Sequence, residues 1–255
     1  MKGKGEALEE LIAIQQRLLG EGGCPWDREQ THQSLVRYLI EETYEVIEAI
    51  NEGDMHKLRE ELGDLLLQIV FHAALAEDQG QFDFADLTGT VSQKMVARHP
   101  HVFGTMQLDT SEDVLDNWED FKRQEGKKYL LQGIPRSLPA LLRAEKIQEK
   151  ISRVGFDWPS IHGAQEKLQE ELAELEQAST PTEIQDELGD VLFAVVNVAR
   201  FKQVGAEQAL QQTNDKVTRR FNYLEQRVQE SGRSFAELSL EEMDALWDEA
   251  KRQGL

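Results

Sequence analysis

Residues 41–64 read EETYEVIEAINEGDMHKLREELGD, and residues 170–190 read EELAELEQASTPTEIQDELGD. Each stretch carries Glu-Glu-x-x-Glu and then, past a turn, Glu-Leu-Gly-Asp. The acidic residues stand three or four apart, so each group falls on one face of a helix. Two such helices lying side by side would gather four carboxylates: Glu42, Glu45, Glu61 and Asp64 in the first copy, Glu171, Glu174, Glu187 and Asp190 in the second. A hard divalent cation needs that kind of oxygen-rich set.

Outward from these stretches the helical period dominates. Leu8, Leu11, Ile12, Gln15 and Leu18-Leu19 form a stripe at i, i+3, i+4 spacing, and 34–52 continues it with Leu35, Leu39, Ile40, Val46, Ile47 and Ile50. A long helix is expected over about 56–78. No run alternates apolar and polar residues as a half-buried strand would. The reading is an all-α protein.

The repeat extends beyond the acids. Glu42, Glu45, Trp118 and Lys122 recur 129 residues later as Glu171, Glu174, Trp247 and Lys251. Glu61 and Asp64 recur after 126 residues, and Lys94 and Arg98 after 122, as Lys216 and Arg220. The offsets change only where loops belong, which points to two helical modules in tandem. Gly133, Pro135 and Pro139 interrupt the helical pattern. The expected division is therefore a module over 1–132, a linker over 133–139 and a second module over 140–255.

The formal net charge of −20 argues against binding nucleic acid or an anionic membrane. No apolar run reaches the roughly 20 residues that span a bilayer. The N-terminal residues lack the apolar centre of a signal peptide. The single cysteine, Cys24, excludes an internal disulfide and sits in a turn without a Cys-x-x-Cys partner. A cytoplasmic location is expected.

In a chain with 48 acidic residues, one Glu-Glu-x-x-Glu is ordinarily a solvated helix face. Context argues otherwise here. Asp64 precedes Leu-Leu-Leu-Gln-Ile-Val-Phe, and Asp190 precedes Val-Leu-Phe-Ala-Val-Val, so both helices are expected to be largely buried, where a lone charge is too costly. Gly63 and Gly189 stand at matched places and cost each helix on the order of 1 kcal/mol relative to Ala. Close helix packing or room for a ligand would offset that cost. Carboxylates without Cys or His suit Mg²⁺, with Mn²⁺ as a substitute, rather than Zn²⁺. A di-iron bundle would need paired Glu-x-x-His motifs, and only Glu29/His32 exists. Mg²⁺ beside carboxylates suits phosphoryl chemistry, in which Lys167, Lys216, Arg219, Arg220 and Lys251 would hold phosphates.

Glu-Glu-x-x-Glu then Glu-x-x-Asp, Lys216-x-x-Arg219-Arg220-Phe221 and a terminal Trp247-x-x-x-Lys251 together resemble the MazG nucleoside triphosphate pyrophosphohydrolases. The likeness extends to Gly-Gly-Cys-Pro-Trp-Asp at 22–27, Arg-His-Pro-His-Val-Phe-Gly at 98–104 and Gly-Phe-Asp-Trp at 155–158, and so covers nearly the whole chain. It implies tandem all-α helical bundle modules assembled as a homodimer. It also implies Mg²⁺-dependent cleavage of ordinary or modified NTPs, ATP among them, to NMP and pyrophosphate by water activated at the metal and attacking the α-phosphate. By resemblance, Glu171, Glu174, Glu187 and Asp190 ligate metal, with Glu42, Glu45, Glu61 and Asp64 the equivalent set in the first module. Glu170 stands near the attacking water, with Glu170 and Glu171 the catalytic pair. Lys167, Glu170, Asn197, Lys216, Arg219, Arg220, Trp247 and Lys251 contact the nucleotide. Where the second module has Lys167, Asn197 and Arg219, the first has Tyr38, Phe71 and Ala97, so the second is expected to carry most of the hydrolysis. Competing readings are a dUTPase-like or phosphoribosyl-ATP pyrophosphohydrolase relative and a non-catalytic helical interaction module.

Overall fold

The computed structural model describes residues 3–108, 110, 113–114, 117 and 129–255. Among these residues the regular structure is helical and no strand occurs. Trp118 and Lys122, expected to match Trp247 and Lys251, lie outside the described residues. The chain divides into two compact units, Met1–Asp113 and Val114–Leu255.

In the first unit, α1 (Lys4–Leu19) and the single turn α2 (Pro25–Arg28) precede α3 (Val36–Glu52), α4 (Met55–Asp78), α5 (Phe84–Arg98) and the short α6 (Pro100–Phe103). Helices α3 and α4 form a hairpin. Gly53 ends α3 at φ 69°, a left-handed conformation that glycine adopts at little cost, and Asp54 caps α4 by accepting from the His56 and Lys57 backbone N–H groups at 2.9 and 3.1 Å. Helix α4 packs on α3, α1 and α5. Its second half fills the core, where Leu35, Phe71 and Leu75 are buried and Leu19 and Tyr38 pack against them.

The second unit runs α7 (Ala140–Ser152), α8 (Ile161–Gln177), α9 (Pro181–Phe201), α10 (Ala206–Glu230) and α11 (Leu240–Arg252). Turns occupy much of 129–138, the glycine- and proline-rich stretch before α7. Helices α8 and α9 form the matching hairpin, and α9 also packs on α7 and α10. Thr180 starts α9 with a capping box: its Oγ accepts from the Glu183 N–H at 3.2 Å, while Glu183 accepts from the Thr180 N–H at 3.0 Å, ahead of Pro181 in the first turn.

The acid-bearing helices are less buried than their composition suggests. Leu62, Ile69, Leu188, Leu192 and Val195 are all exposed by more than a third within the chain. Helix α9 buries Val191, Ala194 and Val196, partly covers Glu187 and residues 197–201, and leaves its other residues exposed. Among the described residues, a Cβ at Gly63 or Gly189 would meet nothing within 4 Å. Close approach of helices within the chain therefore does not explain those glycines.

Candidate functional site

The helix hairpins bring the acidic residues together. In the second unit, Glu171, Glu187 and Asp190 place carboxylate oxygens within 4.8 Å of one another. Glu171 comes from α8 and the other two from α9. Glu174 lies outside that trio but against Glu171. The hydrogen bond between them, with burial, raises the Glu174 carboxyl above the ordinary range. Glu171 is only 6% exposed. Lys167 offsets its charge: Nζ lies 2.8 Å from Glu171 Oε1 and 2.6 Å from Glu170 Oε1. Both carboxylates push the lysine further into its charged form. Glu170 stays exposed.

In the first unit, Glu42, Glu45 and Glu61 form a trio with oxygens within 4.8 Å, so Glu45 takes part where its match Glu174 does not, and Asp64 is close enough for its charge to act on Glu42 and Glu61. Burial raises the carboxyls of Glu42 and Glu61, and like charge from Asp64 and Glu45 adds to the effect. No lysine sits where Lys167 does, because Tyr38 occupies that place. The nearby Lys57 is committed to Glu48 at 2.8 Å and Glu52 at 3.1 Å.

The residues around the two trios differ more. A cavity of about 340 Å³ in the second unit is lined by Glu171 and Asp190 together with Lys167, Asn197, Gln148, Phe156, Trp158 and Arg200. That volume lies at the lower end of small-molecule pockets. Trp158 forms a wall because Gly163 lacks a side chain: a Cβ there would stand 2.8 Å from the indole. Asn197 Oδ1 accepts from Arg200 Nε at 3.1 Å and Nη2 at 2.8 Å, and Arg200 reaches Asp157 at 2.5 Å. In the first unit, Leu35 stands where the second has Ala164, and Phe71 where it has Asn197. Both are buried in the apolar core of that unit.

Not every residue expected at the site lines this cavity. Lys216, Arg219 and Arg220 lie on α10, and Trp247 and Lys251 on α11, away from its lining. There Arg220 donates to the Leu255 carbonyl at 2.7 Å and stands 5.5 Å from the Trp247 ring centroid, while Lys251 pairs with Asp248 at 3.0 Å. Conversely, Gln148 and Arg200 line the cavity although no motif of the sequence contains them, while Asp157 and Trp158 belong to the Gly-Phe-Asp-Trp motif. A signal existed for the first: Gln148 matches Gln15, and each is a polar residue in the middle of an apolar stripe.

Both trios consist of carboxylates alone, with no Cys or His among the clustered donors. That donor set fits a hard cation such as Mg²⁺ and not a thiophilic metal.

Comparison with known proteins agrees with this geometry. The pattern described as the MazG nucleotide pyrophosphohydrolase domain matches residues 30–103 and 161–224, one segment around each carboxylate group. The chain is 45% identical over 254 residues to the nucleoside triphosphate pyrophosphohydrolase/pyrophosphatase MazG of Thermotoga maritima, covering 98% of both proteins. It is 43% identical over 256 residues to a nucleoside triphosphate pyrophosphohydrolase of Escherichia coli, covering 96% of this chain and 97% of that one. It is also 49% identical over 246 residues to an uncharacterized protein, YabN, of Bacillus subtilis, of which it spans 50%. With two matched domain segments and relatives that align along nearly its whole length, the chain belongs to the MazG nucleotide pyrophosphohydrolase family.

Proposed function

We propose that this chain hydrolyses nucleoside triphosphates to nucleoside monophosphate and pyrophosphate with Mg²⁺, and that the second module does most of the work. The observation that carries the reading is one cavity lined by acids of the carboxylate trio, a lysine and an aromatic wall. Glu171, Glu187 and Asp190, with Glu174 beside them, would hold Mg²⁺; when bound, the ion supplies charge neutralisation for the phosphates and lowers the pKa of water. Lys167 holds Glu170 and Glu171 in place and offsets negative charge as the polyphosphate enters. Glu170, exposed and paired with Lys167, orients the attacking water and accepts its proton. Water oxygen bonds to the α-phosphorus, the bond from that phosphorus to the bridging oxygen breaks, and pyrophosphate leaves. Trp158 offers a face for the base. Nucleotide binding by Lys216, Arg219, Arg220, Trp247 and Lys251 rests on the family resemblance and not on the cavity.

In the first module, Glu42, Glu45, Glu61 and Asp64 would still hold a cation. Leu35, Phe71 and Tyr38 fill the space that the second module leaves for a nucleoside, so that module is read as structural, regulatory or restricted to a smaller substrate. The joint between modules is read at 133–139. The exposed apolar helix faces favour a homodimer, the charge of −20 disfavours nucleic acid, and a lone cysteine without an internal disulfide fits a cytoplasmic protein. No helix among the described residues is long and apolar enough to cross a membrane.

The test is product identity. An NTP incubated with the chain and Mg²⁺ yields NMP and pyrophosphate, and chelation of the metal stops the reaction. Formation of NDP and phosphate contradicts the proposal.

A further inference from the structure

Gln148 lies in the cavity wall and takes no part in the carboxylate chemistry. It is 2% exposed. Its Nε2 donates to the Phe193 carbonyl at 2.8 Å. That bond fixes the amide, because the flipped orientation would set oxygen against oxygen. Gln148 Oε1 is consequently a buried acceptor with no partner among the described residues. Leaving such an atom unpaired is costly, and Leu or Met would fill the same stripe of α7 without that cost. A ligand that brings an N–H into the cavity offsets it.

The neighbouring groups describe that ligand. Trp158 supplies an aromatic face, and Ala164 and Phe193 add apolar wall. The bonds from Arg200 fix Asn197 in the opposite sense: its Oδ1 is occupied and its Nδ2 donors are uncommitted. A flat, partly apolar group with hydrogen-bonding edges matches these walls, and a nucleobase has that chemistry.

Resting on the pyrophosphohydrolase reading above, we propose that Gln148 Oε1 accepts a hydrogen bond from an N–H of the nucleobase and that Gln148 is a specificity-determining residue. The group accepted is the amino group of adenine or cytosine, or the ring N–H of guanine or uracil. The pocket then admits the ordinary bases broadly and discriminates against bases that have lost their donor.

The experiment compares kcat/KM for ATP and for purine riboside triphosphate, which lacks the amino group, in the wild type, Q148L and Q148M. Binding of each nucleotide is measured alongside by calorimetry with Ca²⁺. The wild type prefers ATP by about tenfold or more, since a site built around a hydrogen bond rejects the analogue that lacks it. In Q148L and Q148M the ratio falls to within about twofold of one. A purely structural Gln148 would lower both activities together and leave the ratio intact. A wild-type ratio near one, or a preference unchanged in Q148L and Q148M, overturns the proposal. If the variants fail to fold, the wild-type ratio alone decides. If the wild type hydrolyses neither triphosphate, the pyrophosphohydrolase reading fails, and the two binding constants still judge Gln148.

Discussion

Glu171 is the one carboxylate of its trio that the fold buries, and Lys167 is the reason it tolerates burial. An ionised carboxylate taken from water needs a partner or a metal. Replacing Glu171 with Gln removes a ligand charge and leaves Lys167 paired with Glu170 alone. Glu171→Gln is expected to lower kcat for NTP hydrolysis by about 100-fold or more, equivalent to about 3 kcal/mol of transition-state stabilisation. Glu42→Gln is expected to leave the rate within about twofold, a factor of under 0.5 kcal/mol. Equal losses in steady-state assays of the two variants would remove the asymmetry between modules. The raised carboxyls of Glu42, Glu61 and Glu174 give a second test. Their folded-state pKa values lie above the unfolded ones, so the folded protein retains protons that the unfolded chain has released. Their charged forms destabilise the metal-free fold as pH rises above about 4.5. A bound cation relieves this repulsion and competes with those protons. The rise in Tm caused by excess Mg²⁺ is therefore expected to be larger at about pH 7 than at about pH 5. His72, whose pKa burial and His32 depress, loses stabilising influence as pH falls, but equally with and without Mg²⁺, so it cancels in the difference. A metal-induced shift independent of pH would contradict the clustering.

At the scale of elements, the position of the site depends on where α9 begins. Thr180, Pro181 and Glu183 fix that start, and Glu187 and Asp190 follow within the next two turns. Thr180→Ala removes the cap and is expected to cost ~1 kcal/mol in thermal or denaturant unfolding. Exposed Thr182→Ala, which touches no cap, should stay within ~0.5 kcal/mol as the control. Two equal losses would mean that the cap contributes nothing. Helices of this kind were legible in the sequence because their period is carried by many residues: α4 begins at Met55 and α7 at Ala140, each within a residue of the expected start. Burial was not legible. The same Leu and Val residues that announce α9 also suggest a helix surrounded by protein, yet Leu188 and Leu192 are about half exposed within the chain. Hydropathy records what a residue favours and cannot say whether its cover comes from the same chain. Gln148 escaped notice for a related reason: one polar residue in an apolar stripe looks like noise until its amide is seen to be held at one end and unpaired at the other.

At the scale of the whole molecule, each unit presents a hairpin with uncovered apolar residues, Ile40, Ile47 and Ile50 on α3 and Leu172, Leu188 and Leu192 on α8 and α9. Such surface favours association. Sedimentation equilibrium is expected to give twice the mass of one chain, and a monomer at micromolar concentration would contradict the dimer. The tandem arrangement was legible because the offsets of 129, 126 and 122 residues are an arithmetical property of the sequence. The cavity was legible only in part: Asn197 against Phe71 stands out in the sequence, but Ala164 against Leu35 matters only once Leu35 is seen in the core of one unit and Ala164 in the cavity wall of the other. The central claim is attack by water on the α-phosphorus at the second module's carboxylates, and hydrolysis of an NTP in ¹⁸O-labelled water with Mg²⁺ tests it most directly. The account predicts label in the NMP, unlabelled pyrophosphate and turnover by Glu171→Gln lowered about 100-fold or more. Label in the pyrophosphate, or NDP among the products, would contradict it.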